Sequence, residues 1–207
     1  MTKIPYFESF IRFQQSSGHD STQLPTHDDI PFFGIINDGV QKGFRQFFRR
    51  MPTNLNDYHT LCNTLDFLRV DVTSDHNLHD IMADFRRGKS DWDPEERFKI
   101  SGIKSLARDS AFRLLYQLLL SDFQSDVKDS NMAYQATLFV VSHRGIFKYR
   151  TRKMVREAFE ERICVSAKQL QALGKWSIDP PTPETLQAGE MTTEPEDVDF
   201  DSDWSIW

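Results

Sequence analysis

Residues 103–120 read IKSLARDSAFRLLYQLLL, and this stretch decides the fold class. Along one helix face the apolar residues recur every three or four positions: Ile103, Leu106, Ala107, Ala111, Leu114, Leu115 and Leu118. Phe112, Tyr116 and Leu119 widen that face until little polar surface remains. A helix that is apolar on most sides has to be enclosed by other elements. The sequence therefore predicts a buried central helix over residues 103–120.

Amphipathic patterns of helical period lie on both sides of this central helix. They predict further helices over residues 5–15, 40–51, 55–68, 78–88, 147–163 and 166–174. Residues 16–34 are rich in Ser, Gly, His, Asp and Pro, and they predict a loop closed by an apolar plug at Ile30, Phe32 and Phe33.

Local residues set several of the helix ends. Pro52 ends the second predicted helix, and either polar residue at 53–54 can cap the helix that follows. Gly88 supplies a C-terminal stop for the fourth predicted helix. The stretches DPEE at 93–96 and SAKQ at 166–169 both match an N-terminal cap, so they predict where the central and last helices begin.

Residues 132–142 contain the run ATLFVV, which by propensity suits a strand. The chain has no second alternating run to pair with it, and a lone strand has nowhere to bond. We therefore assign residues 132–142 to a helix. The predicted fold class is all-α: an irregular helical bundle of about seven helices around the 103–120 helix.

The chain changes character near residue 177. Nine acidic residues and no basic ones follow Lys175, whereas the whole chain has a net charge of −6, so the remainder carries +3. Four prolines forbid regular structure through much of this segment: Pro180, Pro181, Pro183 and Pro195. We divide the chain into a helical domain, residues 1–176, and an acidic, Pro-containing, aromatic-ended tail, residues 177–207.

The tail combines acidic side chains, which stay in water, with large apolar ones, which leave it. Its predicted partner-binding residues are Phe200, Asp201, Asp203, Trp204, Ile206 and Trp207. The apolar side chains would anchor a partner, and the aspartates would steer its association. The first functional hypothesis is a non-enzymatic interaction or regulatory protein that binds a protein partner through this tail and an aromatic-rich helical body. This composition also suits a viral or pathogen accessory factor that captures a host protein.

The end of the tail resembles two known kinds of segment over about ten residues. Acidic residues closing on an aromatic are similar to the tails of bacterial single-stranded-DNA-binding proteins, and acidic residues with spaced aromatics are similar to transcriptional activation segments. The first resemblance implies a multi-strand barrel, which the body of this sequence does not predict.

A basic segment runs from His143 to Arg156 without one acidic residue. Its candidate polyanion-binding or acidic-partner-binding residues are Arg144, Lys148, Arg150, Arg152, Lys153 and Arg156. If one helix continues through Gly145, four of these cations recur every fourth residue and form a ridge.

Three interpretations of this segment remain open. It is a solvated helix face balanced by Glu157, Glu160 and Glu161, or it binds an acidic protein segment such as the tail, or it binds nucleic acid. Cations would contact phosphates, and the interleaved His143, Phe147 and Tyr149 would stack on bases. The alternative function is therefore nucleic-acid binding, with the acidic tail as an autoinhibitory mimic.

A second basic patch lies on the back of the predicted 40–51 helix. It contains Lys42, Arg45, Arg49 and Arg50. A solvated face explains this patch without any ligand, because long basic side chains cover apolar surface while their charges stay in water.

No motif indicates catalysis. The sequence has no Gly-rich phosphate loop, no nucleophile elbow and no HExxH helix, so we expect a protein that is not an enzyme and uses no cofactor. His76 and His79 are spaced to share a metal, but no further ligand follows at a suitable spacing, so no metal site is expected.

The remaining features concern the compartment. Cys62 and Cys164 are far apart in sequence and predict two free thiols in a reducing compartment. No apolar run has the length of a signal peptide or a membrane span. We expect a cytoplasmic or nuclear protein without a membrane partner, and the sequence does not indicate its oligomeric state.

Overall fold

A computed structural model of the protein describes residues 4–16, 30–89, 97–121, 127–163, 166–176 and 178. All regular structure within these ranges is helical, which confirms the predicted all-α class for this part of the chain. The nine helices are α1 (Pro5–Ser16), α2 (Phe33–Lys42), α3 (Arg45–Arg50), α4 (Leu55–Phe67), α5 (Leu78–Lys89), α6 (Arg97–Leu120), α7 (Val127–Ser142), α8 (Tyr149–Arg162) and α9 (Ala167–Gly174).

Helix α6 contains the sequence that decides the fold, and it contacts α3, α4, α5, α7 and α8. Its apolar residues are completely buried: Ala107, Ala111, Phe112, Leu114, Leu115 and Leu118. Each large apolar side chain removed from water contributes about 1.5–3 kcal/mol. Helix α6 therefore supplies the surface on which five other helices are held.

The predicted helix over residues 40–51 is wrong, because two helices cover this region. Gly43 lies between α2 and α3 with φ 102°, a conformation that other residues rarely adopt. The predicted loop also ends earlier than expected, because α2 already begins at Phe33. This division is one reason why the described ranges contain more helices than the sequence predicts.

Gly88 does not end its helix, which continues through it to Lys89. The residue is buried where α5 crosses α6, and a Cβ atom added to it would lie 2.9 Å from the Cβ atom of Ala107. The glycine therefore allows α5 and α6 to approach closely. This close packing, and not a helix C-terminus, explains why a glycine occupies position 88.

Other local predictions are confirmed. Asn54 caps α4 by accepting a hydrogen bond from the backbone N–H of Asn56 at 3.1 Å, and Ser166 and Gln169 form a reciprocal capping box at α9. The segment 132–142 is helical and belongs to α7. The predicted cap at 93–96 lies outside the described residues.

Aromatic side chains fix α3 against α6. The ring of Phe112 lies 4.5 Å from the ring centroid of Phe47 and 5.9 Å from those of Phe44 and Phe48. Such ring pairs contribute about 0.5–1.5 kcal/mol each beyond the area they bury. This cluster places the basic side of α3 close to the start of α8.

No helix in the described ranges combines the length and the apolar character needed to cross a membrane.

Candidate functional site

A cavity of about 440 Å³ opens where α3, α6 and the start of α8 meet. Its lining residues are Arg45, Phe48, Arg49, Arg108, Lys148, Tyr149, Arg150 and Thr151. Five of these side chains are cationic, and none of the described residues that line the cavity is acidic. We call this site the basic cavity. Its volume falls within the range of about 300–1,000 Å³ that small-ligand sites occupy.

Arg45 is held at the cavity by a carboxylate on α6. The backbone N–H of Arg45 donates to Asp109 Oδ1 at 2.7 Å, and its guanidinium donates to Oδ2 at 3.2 Å. A Cβ atom at Gly43 would lie 2.9 Å from the same carboxylate, so the glycine that separates α2 from α3 also admits Asp109.

Burial raises the pKa of the Asp109 carboxyl above its ordinary value, and this effect exceeds the opposing influence of the backbone N–H and guanidinium of Arg45 and of the guanidinium of Arg113. Asp109 is therefore a close carboxylate partner of Arg45, and it balances part of the charge around the cavity.

Two further arginines are positioned by main-chain carbonyl groups. Arg150 Nη1 donates to the carbonyl oxygen of Arg49 at 3.0 Å, and Arg108 Nε donates to the carbonyl oxygen of Ile146 at 2.9 Å. A carbonyl group accepts a hydrogen bond without neutralising the guanidinium. These two contacts therefore orient the guanidinium groups of Arg150 and Arg108 at the cavity.

The start of α8 forms one wall of the cavity. Lys148 precedes the helix in an extended conformation (ψ 164°), and its side chain makes no capping hydrogen bond. The first backbone N–H groups of a helix have no partner within the helix, and the helix dipole adds partial positive charge there. This end of α8 thus adds to the positive potential of the side chains.

Thr151 and Tyr149 complete the wall. Thr151 is 5% exposed and contributes a hydroxyl group to the lining of the cavity. Tyr149 is half-buried and presents an aromatic side chain beside the cations. The cavity therefore offers positive charge, hydrogen-bond donors and an aromatic ring together.

The condition for a continuous basic ridge is not met, because α7 ends at Ser142 and α8 begins at Tyr149. Arg144 lies exposed in the connection between the two helices. Of the six predicted residues, Lys148 and Arg150 line the basic cavity.

The other residues of this segment have different surroundings. Lys153 Nζ lies 3.7 Å from Glu157 Oε1, and Arg156 donates to Glu160 at 2.7 Å, as the solvated-face interpretation expects. Arg152 is 6% exposed, and burial lowers the pKa of its guanidinium, with a smaller contribution from Arg144.

Only one of the three predicted stacking residues lies at the cavity. Phe147 is completely buried in the core. His143 already stacks on Phe139, with ring centroids 3.8 Å apart. Tyr149 is the remaining ring that can receive a base.

The second basic patch divides in a similar way. Asp38 pairs with Lys42 at 3.4 Å and also with Arg50. Arg45 and Arg49, in contrast, line the basic cavity. Two residues of each predicted patch therefore lie at one site, and the others are paired with nearby carboxylates or lie elsewhere.

Arg108, Phe48 and Thr151 belong to the cavity, but the sequence pattern did not indicate them. Arg108 is a charged residue within the central helix, but Lys104, Asp109 and Arg113 share that property and do not line the cavity. Phe48 and Thr151 resemble ordinary core positions, so only their neighbours in space reveal them.

The six predicted tail residues, Phe200, Asp201, Asp203, Trp204, Ile206 and Trp207, lie outside the described residues. Their role in binding a protein partner stays a prediction.

A buried polar cluster joins α5 to α6. Ser110 Oγ donates to Asp84 Oδ2 at 2.6 Å and accepts from Arg113 at 3.1 Å, while His76 Nε2 lies 3.8 Å from Asp84. Ser110 is completely buried, so its hydroxyl cannot reach a substrate. The described ranges contain no group of three or more His, Cys, Asp or Glu residues that would hold a metal.

A comparison of the chain with protein-family models, with curated proteins and with solved structures finds no match.

Proposed function

We propose that this protein is a non-enzymatic nucleic-acid-binding protein. An irregular helical bundle around α6 forms the basic cavity, and this cavity binds a single strand. The observation that carries the proposal is the convergence of five cationic side chains on one cavity. They come from three regions of the chain: Arg45 and Arg49, Arg108, and Lys148 and Arg150.

Phosphate contacts explain why so many cations share one site. Like charges at close range repel each other, and a ligand that carries several negative charges relieves this repulsion. Phosphate groups provide that charge, and their binding releases counterions from the nucleic acid. An acidic peptide would also supply charge, but only one with an aromatic residue would supply a ring for Tyr149, whereas every nucleotide has a base that can stack.

A single strand suits the cavity better than a duplex. Unpaired bases can stack on an aromatic side chain, and each such contact contributes about 1–3 kcal/mol. Bases inside a duplex already stack on one another, so none would be available to stack on the ring of Tyr149.

The test is fluorescence anisotropy with a labelled single strand of about 16 nucleotides, titrated between about 50 and 200 mM salt. We expect affinity to fall steeply with salt for the full chain. The double variant Lys148→Gln/Arg150→Gln should bind more weakly, and its logarithmic salt slope should be shallower by about 0.7 for each cation removed.

The matched control is Lys168→Gln/Lys175→Gln, which removes the same charge from exposed positions outside the cavity. It should bind as the full chain does. Equal losses in both double variants would show that net charge alone drives binding and would contradict the proposal. If polyglutamate displaced the labelled strand as effectively as unlabelled nucleic acid does, the cavity would be assigned to an acidic peptide instead.

A further inference from the structure

Exposed apolar side chains lie where α1, the start of α2 and the end of α4 come together. Phe67, the last residue of α4, is 56% exposed, and Ile11 and Phe13 of α1 are 44% and 65% exposed. With their neighbours they form a surface that we call the apolar patch. It consists of Tyr6, Phe7, Ile11, Phe13, Phe33 and Phe67.

Contacts between rings make this patch one surface. The ring centroid of Tyr6 lies 4.9 Å from that of Phe67 and 5.5 Å from that of Phe7. The ring of Phe7 in turn lies 5.6 Å from that of Phe33, and Ile11 follows Phe7 by one helical turn. Single exposed apolar residues are common on proteins, whereas a joined group of them marks a surface that binds another segment or molecule.

Helix α1 packs on the core mainly through its first half. Ile4, just before the helix, belongs to the core, and Tyr6 and Phe7 pack against it. Ile11 and Phe13 lie further along the helix and keep much of their surface in water. The second half of α1 therefore presents apolar surface that a further segment can cover.

The sequence outside the described ranges indicates which segment has suitable side chains. The segments 17–29, 90–96 and 122–126 contain one large apolar residue each: Leu24, Trp92 and Phe123. Residues 200–207, in contrast, contain four such residues within eight positions: Phe200, Trp204, Ile206 and Trp207. Among these segments, residues 200–207 thus offer the most apolar surface for the patch.

The chain is long enough to make this contact from any point on the body. From Ile178 to Trp204 it has 26 residues, which at about 3.3 Å per residue span up to about 85 Å. A compact domain of the size of residues 1–176 is only about 40 Å across. A tethered segment also has an effective concentration of about 1 mM, so an affinity too weak to join separate molecules is sufficient here.

The charges beside the patch oppose an acidic segment only slightly. Arg12 and Arg69 are exposed next to it, and so are Glu8, Asp66 and Asp71. These charges nearly cancel, and physiological salt screens the remainder beyond about 8 Å. A contact between the tail and the patch would therefore depend on apolar burial, which salt does not weaken.

We infer that the apolar patch binds residues 200–207 of the same chain, with Trp204, Ile206 and Trp207 against the rings of α1 and α4. A protein partner that takes hold of the tail then has to displace it from the patch. This inference goes beyond the proposed function and does not depend on what the basic cavity binds.

The first experiment locates the tail by photo-cross-linking. A benzophenone side chain replaces Trp207 in the full chain, and the peptides joined to it by illumination are identified by mass spectrometry. We expect cross-links within one chain to α1 or to the end of α4. Cross-links chiefly to α3 or α8, cross-links between two chains, or cross-links without preference would each overturn the inference.

The second experiment measures how well the patch shields the tail tryptophans. In a Trp92→Phe/Trp176→Phe background, Trp204 and Trp207 are the remaining tryptophans, and acrylamide quenches their fluorescence according to their exposure. Adding Phe13→Ser/Phe67→Ser should increase the quenching by about twofold, as expected if at least half of the parent chains hold the tail. Unchanged quenching would contradict the inference.

The matched control removes two exposed apolar side chains elsewhere. Leu170→Ser and Trp176→Ser, combined with Trp92→Phe, alter α9 and the residues after it, outside the patch. This variant should be quenched as the background chain is, and an increase equal to that of the patch variant would contradict a specific contact. Circular dichroism during thermal unfolding confirms that each variant is folded.

Salt separates this contact from attraction to the basic cavity. Raising the salt concentration from about 0.1 to about 1 M should leave the shielding of Trp204 and Trp207 intact, because the contact is apolar and the neighbouring charges nearly cancel. If the shielding disappeared with salt, the tail would be held by cations, and the assignment to the apolar patch would be wrong.

Discussion

Arg150 Nη1 donates a hydrogen bond to the carbonyl oxygen of Arg49 over 3.0 Å, across 101 residues of chain. This contact joins the start of α8 to the end of α3, the two helices that carry most of the cavity cations. Arg150 therefore has both a structural contact and a charge directed at the same site.

Arg150→Ala should separate these two roles. The hydrogen bond is exposed to water, so we expect its loss to lower the free energy of unfolding by at most about 1.5 kcal/mol. Affinity for a single strand should fall by about tenfold, because a charge-assisted contact to phosphate is lost. Urea unfolding and fluorescence anisotropy measure the two quantities.

Arg156→Ala is the control for Arg150→Ala. Arg156 lies on the same helix but pairs with Glu160 outside the cavity. Its replacement should leave affinity unchanged, and an equal loss of affinity in both variants would contradict a specific role of the cavity.

Gly39→Ala should destabilise the protein through overpacking. A Cβ atom at this buried position would lie 2.3 Å from the ring of Phe47, which is itself completely buried against Phe112. Overpacking of this kind lowers the free energy of unfolding by about 1–3 kcal/mol. Chemical denaturation followed by circular dichroism measures the change.

Gly102→Ala is the counterpart of Gly39→Ala in an open position. It lies on an exposed part of α6, and no described atom comes within 4 Å of the added Cβ. Alanine stabilises a helix interior by up to about 1 kcal/mol relative to glycine, so this variant should be more stable than the parent. A stable Gly39→Ala variant would show that the α2–α3 packing is looser than the structure indicates.

These glycines also show how far the sequence predicts the fold. Apolar residues at helical spacing identified most helices, because the same side chains that form each stripe fill the core around α6. The predictions of a continuous helix over residues 40–51, which contains Gly43, and of a helix end at Gly88 were wrong, because the conformation or close approach that a glycine permits depends on a distant helix. In both cases the neighbour is on α6: Asp109 for Gly43 and Ala107 for Gly88.

The site was predictable only in part for a similar reason. The two basic patches were visible as local runs of charge, and Lys148, Arg150, Arg45 and Arg49 were all in them. The sequence did not show that the patches meet, because aromatic packing around Phe112 determines where α3 lies. The spacing of residues within one segment cannot reveal a site that three separate segments form together.

Thr137→Val should stabilise the protein. The hydroxyl of Thr137 is completely buried and has no hydrogen-bond partner within the part of the chain that the structure describes. Replacing it with a methyl group removes the penalty of an unpaired polar group, and we expect the free energy of unfolding to rise by about 1 kcal/mol.

Thr64→Val provides the opposite case for comparison. Thr64 is also buried, but its hydroxyl donates to the carbonyl oxygen of Thr60 at 2.8 Å. Its replacement should lower the free energy of unfolding by about 1 kcal/mol. If both variants changed stability in the same direction, the hydrogen-bond assignment at Thr137 would be wrong.

Cys62 should react slowly with thiol reagents in the folded protein. It is completely buried, and this burial raises the pKa of its thiol well above the ordinary value. The reactive thiolate is therefore scarce near neutral pH. In a Cys164→Ser background, labelling at about pH 8 should be at least about 100-fold slower than in denaturant. Rapid labelling of the folded chain would show that α4 opens readily.

Deletion of residues 190–207 should increase affinity for nucleic acid. It removes seven acidic residues and no basic ones, so the net charge changes from −6 to +1. If the acidic tail competes with phosphates for the cavity cations, this competition should weaken as salt screens charges beyond about 8 Å. The truncated chain should bind several-fold more tightly at low salt, and the difference should narrow as salt rises.

The full-length variant Trp204→Ala/Trp207→Ala separates charge from anchoring in this experiment. If the tail is held on the body by its aromatic end, this variant should bind nucleic acid about as tightly as the truncated chain. If the acidic residues act through charge alone, it should bind as the parent does. Unchanged affinity in the truncated chain would exclude both forms of competition and leave the tail available for a separate protein partner.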